Sequence, residues 1–245
     1  MFLDLSKAFD SVNHIVLLQE LGMASIPKLI FVWISDFLSG RSQAVKLGSY
    51  LSNFENITRS IVQGSGLGPM LYITLARGLK PISPSNRLFK YADDSTLLVP
   101  QNSDCSIVKE FDNVKQWSSS HKLLINNSKT KEIIFWKSKM AKNKHDVDLI
   151  DGIERVESVT LLGVIFNSEL SWSSHINSML SQISQRYYLI SQLKQMSLDL
   201  KSLDQVFNAW VLSRLRYAIE AFSGNLLRPI SIELMPSSVR VTDGD

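Results

Sequence analysis

The sequence predicts an α+β fold: short apolar strands interleaved with amphipathic helices up to about residue 157, then one further strand and two long helices. Three observations carry this. Apolar residues alternate or run together in short blocks such as "MFLDL", "LFKYA" and "STLLVP". Between those blocks they recur at helical spacing, and from about residue 158 the helical period takes over. At 245 residues, 44% hydrophobic and 20% charged, the chain has enough apolar material for one large domain or two modest ones.

Composition narrows the class. The single cysteine, Cys105, excludes an internal disulfide and a cysteine metal cluster, and points to a reducing intracellular compartment, cytoplasmic and/or nuclear. No signal peptide opens the chain and the most apolar run, "LIFVWISDFL", is broken by Asp36, so a soluble protein without a membrane partner is expected. Net charge is only +3, yet Lys122, Lys129, Lys131, Lys137, Lys139, Lys142 and Lys144 crowd one stretch against the single acid Glu132. Such a run is most often a solvated face.

In chain order, "MFLDL" reads as a strand, and "KAFDSVNHIVLLQELGM" carries Ala8, Val12, Ile15, Leu18 and Leu21 as one helix stopped at Gly22. Pro27 starts a second helix that ends near Leu38 before Gly40. "QAVKLG" and "FENITRSIV" read as a pair of strands, and "QGSGLGP" as a Gly-rich loop leading into a helix near Met70–Leu79. The arms of "LFKYADDSTLLVP" are expected to be strands packed on a core. "CSIVKEFDNVKQW" spaces Ile107, Phe111, Val114 and Trp117 for a helix, "KEIIFW" reads as a strand and "SVTLLGVIF" as one more. Ile176, Leu180, Ile183, Tyr187, Ile190 and Leu193 mark a long helix, and a second runs from about Leu203 to Tyr217. Residues 223–245 have no period and are expected to fray.

The chemistry starts at "YADD". Adjacent aspartates are common at a hairpin tip, but Asp93 and Asp94 flanked by apolar arms lose hydration and repel each other, a cost proteins usually accept when a cation neutralises the pair. Asp4, near the end of the first strand, is a third such carboxylate. Asp10 falls at a helix start, where an acid is favourable in itself. Three carboxylates at strand ends are a donor set for a pair of Mg²⁺ ions about 3.5–4 Å apart, able to activate a hydroxyl and stabilise a leaving phosphate.

"FLDLSKAFDSVNH", "VQGSGLGPMLY", "KYADDSTLL", "LLINNSKTKEIIF" and "TLLGVIFNSELSWSSHI" occur in the order and approximate spacing of the palm motifs of reverse transcriptases, and the chain most resembles those of non-LTR (LINE-type) retrotransposons. The resemblance implies a right-hand polymerase palm over residues 1–157, with a ferredoxin-like sheet and packed helices. A primer-grip strand and helical thumb would follow over 158–222. It makes Asp4, Asp93 and Asp94 the ligands of two Mg²⁺ ions, with Mn²⁺ as an alternative, and the Leu5 carbonyl a further ligand. Phe9 becomes the ring that rejects a 2′-hydroxyl; by spacing alone it equally fits a core aromatic. Gln63 and Gly64 match the loop bordering nucleotide and template, and Lys129 the lysine that protonates leaving pyrophosphate. Leu162, Gly163 and Val164, with Trp172 and His175, match the primer grip. Arg186, Lys194, Lys201, Arg214 and Arg216 would face the phosphates of an RNA template paired with a DNA primer.

The chain starts three residues before Asp4, so fingers are expected to be missing, and "ITLARGLKPISPSN" lacks a segment common in relatives. The implied activity is RNA-directed DNA polymerisation from dNTP substrates. Two alternatives stand beside it: a decayed copy that folds and binds nucleic acid without polymerising, and a metal-dependent nuclease or phosphodiesterase.

Overall fold

The computed structural model describes residues 1–62, 64–136 and 147–223. The chain divides into two compact units, residues 1–134 with 147–157, and residues 135–136 with 158–223.

The first unit is built on a five-stranded sheet. Its strands are β1 (Phe2–Leu3), β6 (Arg87–Tyr91), β7 (Asp94–Leu98), β8 (Lys131–Glu132) and β9 (Glu154–Arg155), in the order β6-β7-β1-β8-β9. All neighbours are antiparallel except β8 and β9. Leu3 and Leu97 point to one face, where they join Val16 and Leu17 of α2 (His14–Met23), Leu71 and Leu75 of α4 (Gly68–Ala76), and Phe111 and Val114 of α5 (Ile107–Ser120) in one apolar core. On the other face the edge strand β6 exposes Phe89 and Tyr91 at 57% and 68%. So both arms of the hairpin are strands, but only β7 is buried: alternate β6 residues face away from the helices, and Leu88 alone packs against the core.

Several elements depart from the expectation. The first helix is two: α1 (Ala8–Ser11) ends at Val12, and Asn13 turns extended, its side chain accepting the N–H groups of Ile15 and Val16 at 3.1 and 3.2 Å to cap α2. The apolar spacing runs unbroken across this joint because Val12, fully buried, belongs to the same core. After α3 (Lys28–Leu38), the pair of strands is replaced by two small ribbons. One joins β2 (Ser42–Gln43) to β5 (Glu55–Asn56), and the other joins β3 (Lys46–Leu47) to β4 (Tyr50–Leu51) through Gly48 at φ +60°. "KEIIFW" is a strand only over its first two residues. Glu132 there is 4% exposed and accepts Arg155 Nε at 2.7 Å, which fastens β8 to β9.

Glu110 on α5 is fully buried, yet its carboxylate accepts the N–H groups of Ile82 and Ser83 and the Asn86 side-chain amide at 2.7–3.1 Å. These bonds offset the desolvation of the charge and shape the turn that delivers the chain into β6.

In the second unit, "SVTLLGVIF" is a hairpin, not one strand: β10 (Ser158–Leu161) and β11 (Val164–Asn167) pair antiparallel. Leu162 and Gly163 form its two-residue turn at φ +46° and +79°. A long helix, α6 (Ser173–Gln195), follows, then α7 (Leu200–Phe207), a π-helical turn over Asn208–Leu212, α8 (Ser213–Arg216) and α9 (Ile219–Ser223). Ser223 therefore ends a helix; residues 224–245 lie outside the described residues. No described helix is long and apolar enough to cross a membrane.

Candidate active site

The pairing of β1 with β7 decides where the acids go. Phe2 lies opposite Thr96 and Leu3 opposite Ser95, so Asp4, one residue on, comes level with Asp94, which begins β7. Asp93 is the last residue of the turn between β6 and β7, and Ala92 before it stands at φ +53°. Asp4 is half-buried; Asp93 and Asp94 are exposed at the hairpin tip. The partial loss of water where the Asp94 carboxyl lies against the sheet, followed by the charges of Asp93 and Asp4, raises its pKa above the usual carboxylate range. Asp93 and Asp4 thus both act electrostatically on Asp94. Among the described residues, no group of three His, Cys, Asp or Glu side chains is placed to hold a metal ion.

Beyond Leu3 the chain keeps a partner on its other side. Leu5 bridges Ile125, with Ser6 N–H donating to Leu124 O and Asn126 N–H to Asp4 O, both at 2.8 Å. In that antiparallel pattern the bonds belong to the residues on either side of Leu5, so its own carbonyl points away from Ile125. Asp4 N–H donates to Thr130 Oγ1 at 3.2 Å.

Phe9 on α1 is half-buried and lies flat on Tyr72 of α4, which is 2% exposed. Burial first, and the charge of Asp93 second, push the Tyr72 phenol well above its ordinary pKa, so its hydroxyl remains a proton donor near the acids. Sequence reading passed over Tyr72; its signal was present, since Tyr72 stands at the end of "VQGSGLGPMLY" on a helix placed directly after the loop.

That loop is reached through a strained backbone. Ser60 sits at φ +90°, held by its N–H to Val12 O at 2.8 Å and by His14 Nε2 against Ser60 O at 2.8 Å. Gly64 is exposed at φ +81° with nothing within 4 Å of an added Cβ, so backbone there is open to approach. Gly68 is the glycine whose size matters inside the protein: a Cβ would meet Ile61 Cγ2 at 3.2 Å. Gln63 lies outside the described residues.

Lys90, also unforeseen, donates from Nζ to Ala76 O and Leu79 O at 2.6 and 2.7 Å. It neutralises the C-terminal end of α4 and fastens the strand of "KYADD" to the helix of "QGSGLGP". Burial, then the nearby Lys80 charge, lowers its pKa. Its signal was alternation: Leu88 and Lys90 share the face opposite Phe89 and Tyr91.

Lys129 is exposed on the turn between Asn126 and Thr130. Of the basic run, Lys137, Lys139, Lys142 and Lys144 lie outside the described residues.

In the second unit, Leu162 and Gly163 are the hairpin turn and Val164 the buried start of β11. Tyr217 OH donates to Leu162 O at 2.5 Å, and its ring comes within 3.3 Å of a Cβ placed on Gly163. Trp172 meets Phe166 edge-on, and both Trp172 and His175 contact Phe222. His175 is buried, its pKa lowered first by that burial and then by Arg214. Arg186 and Arg214 are half-buried; Lys194, Lys201 and Arg216 are exposed.

Comparison with known proteins gives this arrangement a context. The family model described as "Reverse transcriptase (RNA-dependent DNA polymerase)" matches residues 1–166. The "Probable RNA-directed DNA polymerase from transposon X-element" of Drosophila melanogaster is 26% identical over 215 residues, covering 82% of this chain and 23% of that protein. The "RNA-directed DNA polymerase from mobile element jockey" is 26% identical in Drosophila melanogaster over 216 residues, and 26% in Drosophila funebris over 239 residues, covering 82% and 90% of this chain. The chain spans 23–25% of the length of these relatives.

Proposed function

Because this chain belongs to the reverse transcriptase (RNA-dependent DNA polymerase) family, we propose that it is the polymerase core of a non-LTR retrotransposon reverse transcriptase, with residues 1–157 as palm and 158–222 as primer grip and thumb. The reaction is transfer of a deoxynucleoside monophosphate to a primer 3′-hydroxyl, directed by an RNA template. The observation that carries the reading is the β1–β7 register, which brings Asp4 level with Asp94 beside Asp93.

The donor set suits Mg²⁺. A hard divalent ion of this kind takes one or two carboxylates together with water and substrate phosphates, so Asp4, Asp93 and Asp94 can serve it although no three described side chains form a site by themselves. Asp4, Asp93, Asp94 and the Leu5 carbonyl would hold it, Mn²⁺ serving at the same oxygens. When bound, a pair of such ions supplies activation of the attacking hydroxyl and stabilisation of the leaving pyrophosphate.

The chain's own groups do the rest by positioning. Phe9, backed by Tyr72, presents a ring where a ribose 2′-hydroxyl would stand. Gly64 lets backbone approach the nucleotide, and Lys129 donates a proton to, or stabilises, the leaving group. Leu162, Gly163 and Val164 grip the primer, and the basic residues of the thumb face duplex phosphates.

The test is extension of a DNA primer on an RNA template with Mg²⁺, beside an Asp93→Asn, Asp94→Asn double variant and a nuclease control. Extension that the variant loses supports the reading. Duplex binding without extension marks a decayed copy, and degradation without extension marks a nuclease.

A further inference from the structure

The ladder opposite Asp4 is broken. On one side of the gap Phe2 pairs with Lys131, and on the other Leu5 bridges Ile125. Between these partners the first segment has two residues, Leu3 and Asp4, while the facing chain has five, Asn126 to Thr130. The excess bulges outward as the "NNSKT" turn with Lys129 near its end. A bulge of this kind leaves the residue opposite it without a backbone acceptor, and an unpaired N–H beside a core is costly. Thr130 fills the gap. It is fully buried, its N–H donates to Asn126 O at 2.8 Å, and its Oγ1 accepts Asp4 N–H at 3.2 Å while Asn126 N–H holds Asp4 O at 2.8 Å.

We infer that Thr130 is a positioning residue for Asp4: its hydroxyl replaces the missing ladder bond and fixes the backbone from which the carboxylate reaches the divalent ion. The inference rests on the ion site proposed above. Both backbone groups of Asp4 are then held by the turn that carries Lys129, so the acid and the lysine belong to one hydrogen-bonded piece of chain. Thr130 is fully buried, and acts on the ion only through Asp4.

The experiment compares Thr130→Val, which keeps the shape and removes the acceptor, with Thr130→Ser, which keeps the acceptor. Mn²⁺ affinity is read by electron paramagnetic resonance, and amide exchange is followed over residues 3–6. The expected result is about a tenfold or greater loss of Mn²⁺ affinity in Thr130→Val, the scale typical of groups that orient a ligand. Faster exchange at Asp4 should accompany it, and Thr130→Ser should restore both. A folded Thr130→Val with wild-type Mn²⁺ affinity overturns the inference. Should Thr130→Val not fold, Thr130→Ser against Thr130→Ala, measured cold, gives the same comparison of one hydroxyl. Wild-type Mn²⁺ binding that survives Asp93→Asn, Asp94→Asn would instead overturn the ion site itself.

Discussion

Phe9 and Tyr72 are stacked, with ring centroids 4.6 Å apart and planes inclined by 19°. The contact joins the helix that follows Asp4 to the helix that follows the "QGSGLGP" loop, so the ring of Phe9 is held flat from behind. On the proposed function, Phe9→Ala is expected to raise use of ribonucleotides relative to deoxynucleotides on the order of 10–100-fold, because it would remove a clash specific to the 2′-hydroxyl. Tyr72→Leu should give part of the same effect, since Phe9 loses its backing, whereas Tyr72→Phe should leave selectivity unchanged. Steady-state incorporation of paired nucleotides checks this; unchanged selectivity in Phe9→Ala would leave Phe9 as packing alone.

Tyr72 also makes a prediction about pH. Its folded pKa is raised above 10.0, so above about pH 10 the unfolded chain releases a proton that the folded chain keeps. Stability from this group is therefore full below pH 10 and declines as pH rises further. Tyr72→Phe should lessen the alkaline decline in thermal midpoint. An identical decline in both proteins would count against a buried phenol beside Asp93.

Asp94 carries a consequence of the same sign in the acid range. Its raised pKa means that the folded chain binds a proton more readily than the unfolded one. Its ionised form thus lowers stability as pH climbs through and above 3.8. Asp94→Asn should raise the thermal midpoint at pH 7 and lose that advantage near pH 3, the usual trade of stability for function at a charged site. Millimolar Mg²⁺ should raise the midpoint of the wild type and not of Asp94→Asn, by mass action. A lower midpoint in Asp94→Asn at pH 7 would contradict the electrostatic account.

Much of this fold was legible in the residues, and the failures have physical causes. The helix over Ile107–Ser120 could be read because Phe111, Val114 and Trp117 recur on its buried face. The turn at Leu162–Gly163 could not, because Leu162 takes a positive φ that a leucine seldom adopts, and Tyr217 OH, 55 residues away, helps hold it there. The exposure of β6 was hidden for another reason: Phe89 and Tyr91 have core composition, and only the strand order makes β6 an edge. Of the candidate site, Asp4, Asp93, Asp94 and Phe9 stand out as residue types in a motif pattern. Thr130, Lys90 and Glu110 do not, since each owes its role to a partner fixed by register or by packing between elements distant in sequence.

Gly163 offers a check on the second unit by itself. Gly163→Ala forces an alanine to φ +79° and brings its Cβ to 3.3 Å from the Tyr217 ring, so a loss of about 1–2 kcal/mol is expected from backbone strain, with more if Tyr217 shifts off Leu162 O. Denaturant unfolding measures it; a neutral substitution would mean that the turn is not held as described.

The central claim is that the end of β1 and the turn after β6 build one site for a divalent ion. Mn²⁺ titration followed by electron paramagnetic resonance tests it most directly, on the wild type, Asp4→Asn, and Asp93→Asn with Asp94→Asn. The account predicts saturable binding in the wild type and about a tenfold or greater weakening in each variant, although Asp4 is some 90 residues from the other acids in sequence. Binding that Asp4→Asn leaves intact, or no saturable binding in the wild type, would contradict it.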